Sequence, residues 1–122
     1  MLENILFEFY RGDTYQRDFT VTGWSFPISK AFFTVKEKEE YKTAVLQKTL
    51  ENGITLVSDE NGVKTFNLLI DSTDTNFMKA DFDYVFDIEI HSDGLNGEML
   101  KKTIITGIVR LKGSATRTCN EC

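Results

Sequence analysis

Few residues in this sequence have the type and spacing that catalysis requires. His91 is the only histidine, so any Ser–His–Asp or Cys–His arrangement would need it as the base. Nothing nearby in sequence orients it, and strand alternation places it opposite the apolar face, as an exposed residue. Asp87 and Glu89 point the same way from that strand, but the sequence supplies no enclosing apolar cleft for acid–base chemistry. We predict no catalytic residues and no enzymatic activity.

The two cysteines have the spacing of half a zinc knuckle or of a redox pair, in Cys119-Asn120-Glu121-Cys122. Zinc needs four ligands, and the chain offers only one histidine besides. A redox pair normally opens a helix within a βαβ unit, which the sequence lacks. Two interpretations are left: a frayed tail without metal, and a zinc site shared between subunits, in which Cys119 and Cys122 of two chains supply four thiolates.

The acidic residues Asp71, Asp74, Asp81 and Asp83 suggest calcium, but a calcium loop needs oxygens at short regular spacing with a glycine and a bidentate carboxylate. That spacing is absent, so we interpret them as solvated turn residues. None of the eight glycines falls in the spacing that cradles a phosphate. We therefore predict no cofactor.

The tripeptide Arg11-Gly12-Asp13 can be an adhesion ligand when it is displayed on a loop tip. The same residues favour a turn between two strands, because Gly supplies positive φ and Asp bonds its own backbone. A three-residue match is frequent by chance, so we interpret it as a turn.

Charge and length exclude several classes of protein. The chain has 122 residues, which fits one domain. Its net charge of −5 repels a phosphate backbone, so we expect no nucleic-acid partner. The first residues, Met1-Leu2-Glu3-Asn4, lack the basic and apolar regions of a signal peptide, and the apolar runs are too short to span a membrane. We expect synthesis in a cytoplasm and no membrane partner.

Strands are the elements that would position these side chains. Ten Phe and four Tyr favour pleated, half-buried strands. Alternation of period two recurs between turn residues; in the first strand Ile5, Phe7 and Phe9 share one face. Asn61-Gly62 gives the strongest hairpin signal. Alternation also predicts strands over residues 15–21, 32–36, 54–57, 65–70 and 84–90, with a last strand through Ile105, Val109 and Leu111.

Two segments of the sequence fit the strand alternation less clearly. Residues 44–48 fit one helical turn, but the following Asn52-Gly53 fits a turn between strands better. Gly107 lies inside the last strand and indicates a bulge or a close backbone approach. The count of seven or eight strands without a helical period predicts a two-sheet sandwich.

Several phrases, taken in order, resemble a family of small phage-virion domains, the N-terminal module of phage baseplate upper proteins and related tail or fibre proteins. The resemblance runs from about Ile5 to Arg117, and it depends on order and spacing because no single phrase is specific. The phrases are Phe9-Tyr10-Arg11-Gly12-Asp13-Thr14, Phe33-Thr34-Val35-Lys36, Val45-Leu46-Gln47-Lys48, Asp74-Thr75-Asn76, Asp83-Tyr84-Val85-Phe86-Asp87-Ile88 and Leu111-Lys112-Gly113-Ser114-Ala115-Thr116-Arg117.

The resemblance implies an immunoglobulin-like antiparallel β-sandwich of about seven to eight strands, without catalysis. We place this all-β domain at residues 1–117 and a tail at residues 118–122. The family module commonly precedes a longer fibre region, and the Cys-x-x-Cys tail is not part of its pattern. Whether the chain is a stand-alone virion protein or an adaptor for a separate fibre stays open.

The predicted function is a non-enzymatic phage or prophage virion structural protein that joins tail, baseplate or fibre components. We expect it in the virion after synthesis in the host bacterial cytoplasm. The predicted partners are other virion proteins, and a homo-oligomer in the particle is compatible with this function. The first strand, residues 4–9, and the tail after Gly113 are the predicted contact segments.

Three alternatives belong to other classes. One is a carbohydrate-binding or host-adhesion module, whose stacking aromatics would be Trp24, Tyr10, Tyr15 and Tyr41. Another is a head fibre or decoration protein. The third is an acidic hydrolase whose turnover depends on Asp87 or Glu89.

Overall fold

Eight β-strands make up a computed structural model of the chain, which describes residues 2–24, 26–94 and 97–113. The prediction of an all-β chain with about eight strands is confirmed. Within those residues no helix has the length and apolar character needed to cross a membrane. The strands are β1 (Leu2–Tyr10), β2 (Tyr15–Thr22), β3 (Ile28–Lys36), β4 (Leu46–Leu50), β5 (Gly53–Glu60), β6 (Val63–Ile70), β7 (Phe82–Asp93) and β8 (Met99–Lys112).

All eight strands belong to one hydrogen-bonded sheet, in the order β1-β8-β7-β3-β4-β5-β6-β2. The pairs β1–β8 and β4–β5 are parallel, and the other neighbouring pairs are antiparallel. The sheet is nearly barrel-shaped. Its two edges are β1 and β2, which follow one another in the chain. The mostly antiparallel plan is as predicted, but a single curled sheet takes the place of two separately bonded ones.

The chain turns a corner between β4 and β5. These strands pair at only two positions, Thr49 with Gly53 and Leu50 with Ile54. Asn52 donates its backbone N–H to the carbonyl oxygen of Thr49 at 2.9 Å. Gly53 has a φ of 102°, which a residue with a side chain rarely adopts. The interpretation of residues 44–48 as strand before a turn at Asn52-Gly53 is confirmed for residues 46–48, since β4 begins at Leu46, although this turn makes a corner and not a hairpin.

The alternation read from the sequence places the core correctly. Phe7 and Phe9 are buried, and Leu6 and Glu8 between them are exposed. Phe7 stacks on Phe86 of β7 with ring centroids 4.5 Å apart. Such pairs contribute about 0.5–1.5 kcal/mol beyond the burial of their area. Other buried core residues are Phe19, Val21, Phe33, Val35, Ile54, Phe66, Leu68, Ile70, Tyr84, Ile88, Ile90, Val109 and Leu111.

The Asn61-Gly62 hairpin is also confirmed. These residues join β5 to β6 with φ values of 53° and 78°. Two successive positive φ angles define the tight hairpin turn that matches the twist of the flanking strands. Asn and Gly tolerate that backbone better than other residues do, which explains why the local sequence suffices to predict it.

Gly107 marks the point where β1 comes closest to β8. It lies in register with Ile5 of β1 and with Phe86 of β7. The β1 register shifts between Leu2 and Ile5, where Asn4 has a φ of 60°. A Cβ atom at residue 107 would overlap the carbonyl oxygen of Ile5. The predicted close backbone approach is therefore confirmed, and only glycine fits it.

We expect Gly107→Ala to separate β1 from β8, because the added methyl group meets backbone, which moves less easily than a side chain. The expected loss is about 3 kcal/mol of unfolding free energy, measured by urea denaturation. The neighbouring Thr106→Ala is the control, with a loss below about 1 kcal/mol. Equal losses in the two variants would contradict a specific role for residue 107.

Candidate functional site

The Arg11-Gly12-Asp13 turn is fastened to the loop that follows β6, here called the 71–81 loop. Gly12 is buried with a φ of 87°. Its N–H donates to Thr75 Oγ1 at 2.8 Å, and Thr75 is fully buried. Arg11 donates through Nη1 to the carbonyl oxygen of Met78 at 3.3 Å. These contacts agree with the interpretation of the tripeptide as a structural turn.

The 71–81 loop is held at several points along its length. The Asp74 carboxylate lies 2.7 Å from Lys48 Nζ of β4 and accepts the backbone N–H of Asp71 at 2.7 Å. Met78 is buried, and the N–H of Lys79 donates to the phenol oxygen of Tyr84 at 2.6 Å. From the sequence, the aspartates of this segment were interpreted only as solvated turn residues.

Between the two buried residues Thr75 and Met78, this loop carries Phe77 with its side chain 99% exposed. Sequence reasoning missed this residue. An aromatic side chain inside an otherwise polar segment is the signal that could have found it. Fully burying such a side chain is worth about 1.5–3 kcal/mol, and this ring gains none of it from the described part of the chain.

The carboxylates considered for calcium have other uses. Asp83 on β7 accepts two hydrogen bonds from Arg110 on β8, at 2.7 and 3.0 Å. Glu8 on β1 lies 3.4 Å from the same guanidinium, so three neighbouring strands share one cluster. Asp74 is paired with Lys48. Within the described part of the chain, no group of three or more His, Cys, Asp or Glu side chains is arranged to hold a metal ion.

A polar groove runs along the outer face of β7 and β3. Asp87, Glu89 and His91 face it from β7. His91 Nε2 lies 2.5 Å from Glu89 Oε1, and the Phe32 ring centroid lies 4.9 Å from the imidazole centroid. The groove has a volume of about 310 Å³, and its other lining residues are Thr34, Lys36 and Gln47.

The prediction that His91 is exposed is wrong, because only 11% of its side chain is exposed. It does lie on the outer face, but Phe32 on β3 and Glu89 on its own strand cover it. Alternation gives the face of a strand residue and not the size of its cross-strand neighbours. The Glu89–His91 pair lies beside no serine or cysteine nucleophile among the groove residues that the structure describes.

Asp87 is the groove residue whose pKa is shifted from its usual value. Its partial burial and the negative charge of Glu89 raise the pKa of its carboxyl group, against the opposing effect of Lys36. The contrasting residue is Asp83, whose pKa is lowered chiefly by its hydrogen bonds with Arg110. The pKa values of these two aspartates on one strand are thus shifted in opposite directions.

An apolar cleft separates the two edge strands. Near the turn, Tyr15 of β2 stacks on Phe9 of β1 with centroids 4.4 Å apart and closes that end. Farther along, β1 and β2 diverge and leave a cleft of about 210 Å³. We call this the β1–β2 cleft; its lining residues are Ile5, Phe7, Arg17, Asp18, Phe19, Thr20, Leu68 and Ile105.

Arg17 lies at the mouth of the β1–β2 cleft. Its guanidinium carbon is 4.9 Å from the Phe7 ring centroid, and Nη1 lies 3.5 Å from the carbonyl oxygen of Leu6. Alternation grouped Arg17 with the apolar Tyr15 and Phe19. A charge in the inward phase of a strand is a known means of protecting a sheet edge, and that signal was available in the sequence.

The four aromatic residues considered for sugar stacking do not share one exposed platform. Trp24 packs against the core and donates its Nε1–H to Ser92 Oγ at 2.8 Å. Tyr15 is part of the stack that closes the cleft. Tyr10 and Tyr41 are exposed, on β1 and in the loop after β3 respectively.

Cys119 and Cys122 lie outside the described residues, as does the tail after Gly113. The frayed-tail interpretation and the shared zinc site therefore both stay predictions. A scan against protein-family models found no match to this chain, and a search of curated proteins found none either.

Substitution of Asp83 and of Asp87 on β7 by asparagine should change the melting temperature in opposite directions. A carboxyl group whose pKa is raised by folding destabilises the fold as pH rises above the unfolded pKa. Asp87→Asn should therefore raise the melting temperature at about pH 7. Asp83 has a lowered pKa and contributes stability above the unfolded pKa, so Asp83→Asn should lower the melting temperature there. The Asp87 difference should shrink toward about pH 3, where that carboxyl group is protonated, whereas the Asp83 difference should be lost only as pH falls through the lowered pKa of Asp83.

Thermal unfolding followed by circular dichroism from about pH 3 to about pH 8 measures both variants against the native chain. Shifts of the same sign in the two variants would contradict the assignment of burial to Asp87 and of ion pairing to Asp83.

The bond between the turn and the 71–81 loop gives a second prediction. Thr75→Val keeps the shape of the buried side chain but removes the acceptor of the Gly12 N–H bond. We expect a loss of about 1–3 kcal/mol in unfolding free energy by urea denaturation. Thr73→Val in the same loop is exposed and should change stability by less than about 0.5 kcal/mol. No difference between the two variants would contradict the fastening role of Thr75.

Proposed function

We propose that this chain is a non-enzymatic virion structural protein that joins neighbouring components of a phage tail, baseplate or fibre. The ordered sequence phrases that resemble the baseplate module support the virion context. The observation that carries the joining role is that β1 and β2, the two ends of the strand order, each pair with only one neighbouring strand among the described residues. Unpaired edges are templates for a strand from another chain.

The β1 edge has the geometry for such pairing. The carbonyl oxygen of Leu6 is within 3.5 Å of Arg17 on β2, so it points away from β8. The N–H of a strand residue points to the same side as its C=O. Leu6 therefore presents both backbone groups to the side that a partner strand would use.

We also propose that the nearly closed sheet is an immunoglobulin-like sandwich in its layering. The corner at Glu51 and Asn52 divides the strands into a group β1-β8-β7-β3-β4 and a group β5-β6-β2. Strands that pass between the layers through a bend are typical of such sandwiches. The β4–β5 link of two residue pairs supports this division.

Backbone and side-chain roles at the β1 edge can be separated with two variants. Leu6→Pro removes the outward N–H, which an edge strand tolerates, and Leu6→Lys keeps it. We expect quantitative immunoblots of purified particles to show at least about tenfold less Leu6→Pro chain and near-normal Leu6→Lys chain. Equal incorporation of both folded variants would contradict strand addition at this edge.

The virion context itself is tested by immunogold electron microscopy on particles from the strain that encodes the chain. Label on a tail tip, baseplate or fibre supports the proposal. Label on the head would favour a head fibre or decoration protein. Permeabilised particles without label would overturn the virion assignment.

The outer-face groove favours a second candidate, binding of a glycan. An aromatic ring, an amide and two carboxylates line it, from Phe32, Gln47, Asp87 and Glu89. An aromatic ring can stack on a sugar ring, and carboxylate and amide oxygens can accept hydrogen bonds from its hydroxyl groups. Glycan-array binding that is lost in Phe32→Ala and in Glu89→Gln would support this candidate. Trp24 is not a suitable residue for this test, because it packs against the core and donates a hydrogen bond to Ser92.

A further inference from the structure

Phe77 is an apolar knob that is not covered by any other residue in the described part of the chain. Its side chain is 99% exposed, whereas the next most exposed large hydrophobic residue among those described, Val57, is 61% exposed. Single exposed apolar residues are common, but an aromatic ring entirely in solvent loses all of the benefit of burial. A ring in this position is well suited to insert into a pocket of another molecule.

The loop presents this ring in a fixed position. Thr75 and Met78 on either side of Phe77 are buried, with exposed fractions of 0% and 5%. The bonds from Gly12 to Thr75 and from Lys79 to Tyr84 fasten the loop to two further elements. A pre-ordered anchor loses little conformational entropy on binding, which favours association.

The same chain carries a cavity of matching size and chemistry. The β1–β2 cleft has a volume of about 210 Å³, and its walls include Phe7, Phe19 and Leu68. A dry cavity of about 150 Å³ with Leu, Ile and Phe walls holds a benzene molecule. A benzyl side chain therefore fits the β1–β2 cleft. Arg17 at its mouth already lies over one aromatic ring and can stack on a second.

The knob cannot fill the cleft of its own chain. Phe77 leaves the end of the sheet where β6 ends, and the Tyr15–Phe9 stack closes the cleft at that end. The loop beside Phe77 carries the exposed residues Asp71, Lys79 and Asp81, and the cleft is lined by Arg17 and Asp18, so each surface holds charges of both signs that can pair across a contact. Another copy of the chain is thus the occupant for which both surfaces are present.

We propose that Phe77 of one copy inserts into the β1–β2 cleft of a second copy, so that the chain associates with itself head to tail. Different surfaces meet at such a contact, and repetition produces a ring or a filament. The proposal goes beyond the virion role and does not depend on it, because both surfaces belong to the isolated chain. A monomeric chain found in particles would remove this inference and leave the proposed function intact.

The first test is sedimentation velocity of the purified chain over a range of concentrations. We expect a concentration-dependent dimer and larger species, and a dissociation constant at least about tenfold higher for Phe77→Ala. Val57→Ala is the matched control, because it also removes an exposed apolar side chain, and it should associate like the native chain. A native chain that stays monomeric at its highest soluble concentration would overturn the proposal, as would unchanged association of Phe77→Ala.

Mixing two variants tests the head-to-tail arrangement. Phe77→Ala lacks the knob, and Arg17→Trp fills the mouth of the cleft with a ring over Phe7. Each variant alone should be monomeric, and an equimolar mixture should form one-to-one dimers, because one intact knob and one intact cleft are left. A symmetric contact between two Phe77 rings predicts no such rescue, so a monomeric mixture of folded variants would refute the proposal.

Cysteine cross-linking tests the same contact without the Arg17→Trp variant, which is useful if that variant does not fold. In a background with Cys119→Ser and Cys122→Ser, Asn76→Cys is combined with Thr20→Cys at the cleft. Mild oxidation should link copies into a ladder, and adding Phe77→Ala should abolish it. A Val57→Cys partner in place of Thr20→Cys should give no ladder. Cross-linking that is equal at residues 20 and 57 would overturn the proposal.

Discussion

The contact between the backbones of β1 and β8 is the constraint on which the rest of this molecule depends. β1 is bonded within the sheet only to β8, and it lies so close at Gly107 that no side chain fits there. This single attachment brings Phe7 and Phe9 into the core. It also sets the position of the turn after β1, of one wall of the β1–β2 cleft and of one unpaired edge. Loss of this approach would remove all of these features together.

Several acidic side chains of the chain are paired within the fold. Asp83 and Glu8 share Arg110 across three strands, and Asp74 is paired with Lys48. Surface pairs of this kind contribute little stability individually, but they fix the side chains that sequence reasoning considered for calcium. The outer-face groove differs, because burial and a like charge act against ionisation of Asp87 there. That contrast makes the groove the place where a polar ligand would change the electrostatics most.

The surfaces suited to association lie on elements that are hydrogen-bonded to one another. The turn after β1 is bonded to the 71–81 loop, so the edge strand and the exposed Phe77 ring are held by connected elements. Each contact is small by the standard of stable interfaces. Repeated small contacts nevertheless become strong when many copies are held near one another, because the local concentration is high. A joint in a particle would use that effect, whereas an isolated chain would associate weakly.

The sequence by itself determined the strand faces and the hairpin at Asn61-Gly62, because side-chain alternation and positive φ are local properties. It also identified Gly107 as a close approach, although not the strand that approaches. Only the tertiary structure decided the parallel pairing of β1 with β8 and the position of Arg17 over the Phe7 ring at the mouth of the β1–β2 cleft. The burial of His91 likewise depends on Phe32 from another strand. These features depend on which strands become neighbours, and strand order depends on packing between segments that are distant in the chain.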